Sequence, residues 1–446
     1  MSPTELLPAP PPHAAARRAL LAGSAGNLVE WYEFGVYGCF ATVIAANFFT
    51  PHAGAPGGGA EALVATYASF ALAFFFRPVG ALLFGRIGDR FGRRPTLVLV
   101  VGLMTLATTL IGLLPTRADI GAVAPWLLTF LRVLQGLSAG GEFGGAVSLM
   151  VEHAPPGRRG LYGAWQSLTV ALGLLAGAGT AAALATALPA EALYAWGWRI
   201  PFLLALPLGT VALWLRTALE EIPDAPPGAP QPGAADATDA TGPTGTSALA
   251  EQARAVVLGI GRILGWSAAG YTFLVVLPSH LQSALGASFR DALLATTLVN
   301  LGFAASILPA GLLSDRVGRR PVMLGGALGI AVLAHPLLHL LQSPGSSPQT
   351  RAAAVLTAGA LVGLLAGPGP AMLAEMFPRR VRCTGLGLSY ALANAVFSGC
   401  AGLVITALTA RTADTAIPAH YAAGACAVSA AALLTLRGDD HRKPLR

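Results

Sequence analysis

The sequence predicts an all-α membrane protein of twelve transmembrane helices, arranged as two pseudo-symmetric six-helix bundles. Three observations carry that expectation. Of the 446 residues, 54% are hydrophobic and only 11% charged, against roughly 25% charged in a soluble protein. Apolar runs long enough to cross a bilayer recur along the whole chain, and the two halves repeat each other's motifs. The 54 Gly and 33 Pro would suit a disordered or fibrous chain, but long runs of Leu, Ala, Val and Phe exclude low-hydrophobicity disorder. Twelve crossings of about 20 residues use about 250 and leave enough for short loops.

Residues 1–21 read as a polar, Pro-rich cytoplasmic tail; the apolar run that follows is too long for a signal-peptide core and stays as the first helix. Helices are expected at 22–49, 61–85, 95–114, 121–150, 160–187 and 198–219. A second six follow at 252–283, 289–313, 320–342, 352–377, 383–410 and 416–436. The Pro, Gly, Ala, Thr and Asp stretch at 220–250 has no apolar period and reads as a flexible cytoplasmic linker. It separates an N-terminal bundle (22–219) from a C-terminal one (251–437), with a short tail at 438–446.

The net charge of +7 could mark a nucleic-acid binder, but the basic residues sit in small groups between apolar runs, not on one face. Assigned by side, twenty of the 28 Lys and Arg fall in the even-numbered gaps and at the termini, five fall opposite, and Arg77, Arg132 and Arg262 lie within helices. The positive-inside rule then places both termini in the cytoplasm and requires an even number of helices. Cys39, Cys383, Cys400 and Cys426 have no metal-ligand or pairing spacing and read as helix packing.

GRIGDRFGRRP at 85–95 returns as GLLSDRVGRRP at 311–321, and EHAPPGRR at 152–159 returns as EMFPRRVR at 375–382. Two echoes at nearly one offset indicate duplication. In the first loop Gly85 and Gly88 permit a tight turn, Asp89 caps a helix or pairs with a cation, and Arg90, Arg93 and Arg94 anchor at an anionic leaflet. Asp315, Arg316 and Arg319, with Glu152 and Glu375, complete a candidate conformational latch.

With these loops, GNLVEWYEFGVYG at 26–38, FRPVG at 76–80, RVLQGLSAGGEFGG at 132–145, WGWRIPF at 196–202 and AEMFP at 374–378 make the chain resemble the major facilitator superfamily. More narrowly, it resembles the metabolite:proton symporter family of bacterial permeases. The resemblance implies a bacterial inner-membrane carrier that moves alpha-ketoglutarate, citrate, shikimate, proline or betaine with protons. Glu33 stands where the family more often has Asp.

Charges inside a bilayer are costly, so each needs a partner or a task. Glu30, Arg77 and Glu142 fall at similar depth and are expected to share a layer, two carboxylates flanking one guanidinium. By analogy with related carriers, Glu33 is expected to pair with Arg132 when ionised and to release it when protonated. Glu33, Arg132, Glu30 and Glu142 are thus the candidate proton-coupling residues. Gly136, Gly140 and Gly144 leave a smooth face on helix 4 for a close neighbour. Arg77 and Arg132 are the candidate carboxylate partners, with Tyr37, Gln135, Trp165 and Gln166 from the first half. The second half offers neutral groups, Tyr271, Asn300, Tyr390 and Asn394, while His280 reads as a surface residue.

The expected activity is symport of a small organic anion, a di- or tricarboxylate, by a lipid-embedded monomer without cofactor, metal or nucleic acid. No phosphate-cradling G-x-x-x-x-G-K-S/T occurs, so the proton gradient is the energy source. An osmolyte importer is the nearest alternative. A drug or metabolite antiporter is disfavoured because helix 5 lacks the Gly-Pro pair common in such exporters. An intramembrane enzyme is disfavoured because neither H-E-x-x-H nor G-x-S-x-G is present.

Overall fold

The computed structural model describes residues 13–50, 58–91, 93–140, 142–152, 154–219, 246–343, 345–378 and 381–436, together with Leu445. Among them no strand occurs, and the helices form twelve spans. In chain order these are α1 (His13–Cys39, continued by Ala41–Ile44 and Ala45–Phe49), α2 (Gly58–Phe91), α3 (Arg93–Leu113), α4 (Val123–Ser138 and Glu142–Glu152), α5 (Arg159–Ala187) and α6 (Ala190–Leu215). The second half repeats the pattern with α7 (Ala250–Ser283), α8 (Phe289–Val317), α9 (Arg319–Gln342), α10 (Pro348–Met376), α11 (Arg382–Thr412) and α12 (Ile417–Leu433).

Several helices outrun their expected bounds. The first starts at His13, inside the stretch read as tail, and the helix leading into α7 starts at Thr246, inside the stretch read as linker. Hydropathy registers the bilayer thickness, whereas a 27-residue helix rises about 40 Å at 1.5 Å per residue. α6 begins at Ala190 rather than 198, because Leu193–Gly197 forms a wide π turn that carries the helix through Trp198. Residues 220–245 and, apart from Leu445, the tail from 437 lie outside the described residues.

The loop glycines depart from expectation. Gly85 and Gly88 lie within helix Gly58–Phe91 and make no turn. In the second copy the chain turns at Gly318, whose φ of +99° is open to glycine and strained for other residues. Of the cysteines, Cys39 and Cys426 are buried in helix packing, Cys400 is half-buried, and Cys383 is exposed.

Glycines set the tightest crossings. A Cβ at Gly136 would overlap the Ala73 carbonyl, and one at Gly140 the Arg77 carbonyl, so α4 lies directly on the α2 backbone. Gly144 instead faces Cys383 and Gly387 of α11, in the other half. The same spacing recurs on α10, where Gly359, Gly363 and Gly367 abut Val299, Phe303 and Ile307 of α8. Because a backbone cannot yield as a side chain can, Gly140→Val is expected to cost about 3 kcal/mol or more of stability. Thermal unfolding of the purified protein measures it; an unchanged midpoint would contradict the packing.

α7 is the central span, 89% of its apolar window being buried against 33% for α6 at the periphery. The halves meet where α5 crosses α8 (Gly160 and Ala164 on Gly311), where α2 crosses α11 (Tyr67 on Gly402, Phe74 on Gly399), and where Gly38 of α1 abuts Val275.

Candidate functional site

Positions 30, 33 and 37 recur at helical spacing, so α1 turns Glu30, Glu33 and Tyr37 toward α2, α3 and α4. Glu30 Oε1 lies 3.3 Å from Arg77 Nη2. The Arg77 guanidinium carbon is 4.1 Å from the Phe74 ring centre and 4.6 Å from that of Phe34. Arg132 is likewise wrapped, 3.9 Å over Tyr37 and 4.8 Å over Phe70. An arginine at the centre of a spanning helix costs about 2.5–3.5 kcal/mol on insertion, and a desolvated cation–π contact returns about 2 kcal/mol. The rings therefore offset most of that cost.

Glu142 is not part of this picture: its side chain lies outside the described residues. Glu33 and Arg132 do not form the direct ion pair expected from the sequence. Thr108 Oγ1 on α3 donates to Glu33 Oε2 at 2.5 Å, Gln135 Nε2 donates to Thr108 Oγ1 at 2.5 Å, and Arg132 Nη1 donates to Gln135 Oε1 at 2.7 Å. The acid and the cation are thus joined through two neutral groups. Glu33 is 1% exposed and Arg132 fully buried, yet Glu33 Oε1, Arg132 Nε, Arg132 Nη2 and Arg77 Nε have no hydrogen-bond partner. Buried polar atoms are normally satisfied, so this group retains capacity for another ligand.

A cavity of about 30 Å³ lies between the halves, walled by Trp31, Val170 and Leu174 from the first and by Trp266, Tyr271, Tyr390 and Asn394 from the second. The π turns Thr272–Val276 of α7 and Asn394–Gly399 of α11 border it, a distortion often found at functional positions. Tyr271, Tyr390 and Asn394 therefore sit where a substrate is expected, and the Tyr271 hydroxyl is unpartnered. Arg77 and Arg132 do not border the cavity. Phe70 and Phe74 link them to its wall, each ring contacting Tyr271 at 6.1 and 5.4 Å and each also packing on a guanidinium.

The remaining candidates scatter. Gln166 is buried beside Asn27, with its Oε1 unpartnered. Trp165, 100° round the same helix, turns outward; it is 37% exposed and donates to Ser24 Oγ at 3.0 Å. Tyr37 bonds Ser69 Oγ at 2.8 Å, and Asn300 donates to the Leu274 and Thr296 carbonyls, tying α8 to the π turn of α7. His280 is buried, not at the surface, its Nε2 lying 3.1 Å from the Thr415 carbonyl. Thr108, Trp31 and Trp266 went unrecognised in the sequence. Only the run of threonines on an apolar helix, Thr105, Thr108 and Thr109, gave any signal.

The two halves touch each other through polar contacts near both ends of the spans. At the end where the helices carry their arginines, the Asp315 carboxylate accepts from the backbone N–H of Gly160 at 2.7 Å and Leu161 at 2.9 Å, capping α5 across the interface. Arg319 Nη1 lies 2.7 Å from Asp315 and Nη2 2.9 Å from Glu375. Glu152 of α4 pairs with Arg382 of α11 at 2.5 Å, and Glu375 of α10 with Arg159 of α5 at 3.9 Å. Each half thus lends its acid to the other's arginine, as duplicated halves about a twofold axis must. Arg316 and Arg90 are exposed, and the side chains of Asp89, Arg93 and Arg94 lie outside the described residues. At the opposite end Tyr67 bonds Ser279 Oγ at 2.7 Å and Thr42 donates to Gln282 at 2.8 Å.

Comparison with known proteins agrees with this architecture. Residues 19–224 match the family model "Sugar (and other) transporter", and 264–446 match "Major Facilitator Superfamily". The chain is 36% identical to the alpha-ketoglutarate permease of Escherichia coli K12, covering 89% of this chain and 88% of that one. It is 34% identical to the ectoine/proline transporter of Corynebacterium glutamicum (97% and 86% covered) and 33% to the citrate-proton symporter of Klebsiella pneumoniae (90% and 88%). A proton:xylose symporter shares the fold, with a TM-score of 0.71 at 19% identity over 94% of both chains. Twelve spans in two latched halves, buried acids beside buried arginines, and these relatives agree: the chain is a multi-pass membrane transporter of the metabolite:proton symporter family within the major facilitator superfamily.

Proposed function

We propose that the protein imports a small carboxylate-bearing solute together with protons across the bacterial inner membrane, by alternating access, with both termini cytoplasmic. The observation that carries this is the Glu33–Thr108–Gln135–Arg132 chain beside the Glu30–Arg77 pair. With Glu30 and Arg77 compensating each other, protonation of Glu33 leaves Arg132 with one net positive charge and two unpartnered nitrogens, Nε and Nη2. One proton taken up then matches one solute carboxylate. In this reading Phe70 and Phe74, which pack on both Tyr271 and the guanidinium groups, shift as the solute carboxylate meets Arg132.

A small organic anion, as the names of the alpha-ketoglutarate and citrate relatives suggest, is the first reading. A compact zwitterion, as in the proline/betaine relatives, is the second. The aromatic cavity wall of Trp31, Trp266, Tyr271 and Tyr390 favours the zwitterion, because such rings accept a quaternary or secondary ammonium group. Thermal unfolding with alpha-ketoglutarate, citrate, shikimate, proline and betaine at two pH values separates them. A ligand at 100 times its dissociation constant should add about 2.7 kcal/mol. Stabilisation by citrate and alpha-ketoglutarate that strengthens at the lower pH supports the anion; stabilisation by betaine and proline alone transfers the assignment to osmolytes.

A further inference from the structure

Besides meeting Arg77, Glu30 lines a second pocket, of about 20 Å³, bounded by α1, α3 and α4 within the first half. Its wall includes Gly26, Val101, Met104, Thr105 and Ser138, and it shares no residue with the cavity between the halves. Thr105 is 4% exposed and its hydroxyl oxygen has no hydrogen-bond partner. Ser138 Oγ donates to the Leu134 carbonyl at 3.0 Å, which leaves its lone pairs able to accept. A buried water needs about 10–15 Å³ and two to four polar partners. Glu30 and Ser138 supply two, around a space fit for one or two waters, and the unpartnered hydroxyl of Thr105, which also abuts Gly209 of α6, lies on the same wall. One turn along α3 from Thr105, Thr108 holds Glu33.

We propose that this pocket is a water site through which the proton passes to and from Glu30 and Glu33, apart from the passage taken by the solute. Among the described residues the charged groups facing it are Glu30 of α1 and, behind Glu30, Arg77 of α2; Glu33 and Arg132 lie a turn deeper. A separate route lets the proton exchange while the Asp315, Glu152 and Glu375 contacts hold the halves together, so the two cargoes need not leave by one opening.

The inference rests on the symport reading and is tested in proteoliposomes with two variants, Thr105→Val, which removes the hydroxyl at nearly equal volume, and Ser138→Leu, which fills the space. Labelled alpha-ketoglutarate, citrate, proline and betaine serve as probes. Uphill uptake driven by a pH gradient should fall about tenfold or more in both variants, as expected when a positioned proton-transfer path is lost, while exchange of labelled for unlabelled solute stays within about twofold. Unchanged uptake in both variants overturns the route. Equal loss of uptake and exchange also overturns it, since that marks a packing role. A parent protein that exchanges solute without moving protons defeats the symport reading itself, a result distinguishable from the other two.

Discussion

Replacing Glu33 with Gln is expected to abolish proton-driven accumulation while leaving solute exchange intact. Gln has the shape of the protonated acid and keeps a partner for Thr108 Oγ1 and, through Gln135, for Arg132. The carrier is then fixed in its solute-binding charge state and can still rock between its openings, but it has no proton to release. A proton crossing 100 mV gains about 2.3 kcal/mol, enough to concentrate a zwitterion of no net charge about 50-fold, whereas a carboxylate matched by its proton draws on the pH gradient instead; the variant should hold an inside-to-outside ratio of about 1, the limit when no gradient is coupled. Accumulation and counterflow measured in the same vesicles give both numbers. Full uphill uptake by the Gln variant would refute the coupling role of Glu33.

The second large effect is expected from Arg132→Lys, which preserves the charge. The guanidinium carbon lies 3.9 Å from the Tyr37 ring centre, while its Nη1 reaches Gln135 at 2.7 Å. An ammonium has no plane to stack and no fixed fork with which to hold a carboxylate on two bonds. Disrupting a buried charge network costs about 3–5 kcal/mol, so solute carriage at fixed concentration should drop at least about 100-fold. Initial uptake and exchange rates should fall together, because binding rather than coupling is lost. A Lys variant with near-parent rates in both assays would remove Arg132 from the solute-binding role.

The effects differ in kind because the two residues occupy opposite ends of one short chain of hydrogen bonds. Thr108 and Gln135 are neutral, so on the symport reading they would pass the charge state of Glu33 to Arg132 by reorienting donors without carrying charge. A direct ion pair would lock both partners in low dielectric, where separating them is expensive.

The number of spans, the duplication and the residue types carried inside the bilayer were legible in the sequence, because each depends on sums over about 20 neighbouring residues or on exact repeats. The glycine stripe of α4 was legible too, though not that Gly136 and Gly140 serve one neighbour and Gly144 another across the interface. Partnership was less accessible. Adjacent residues on α5 diverge by 100°, which buries Gln166 and exposes Trp165. Thr108 looks like any hydroxyl bonded to its own helix, as it also is to Met104. By itself, then, the sequence determined a two-bundle membrane transporter with acids and arginines buried in its first half. Only the tertiary structure decided that Glu33 reaches Arg132 through Thr108 and Gln135, that aromatic rings wrap both arginines, and that each half latches the other with exchanged acids. The physical reason is that insertion into lipid depends on local composition, whereas hydrogen bonding depends on the rotation and depth of helices far apart in the chain.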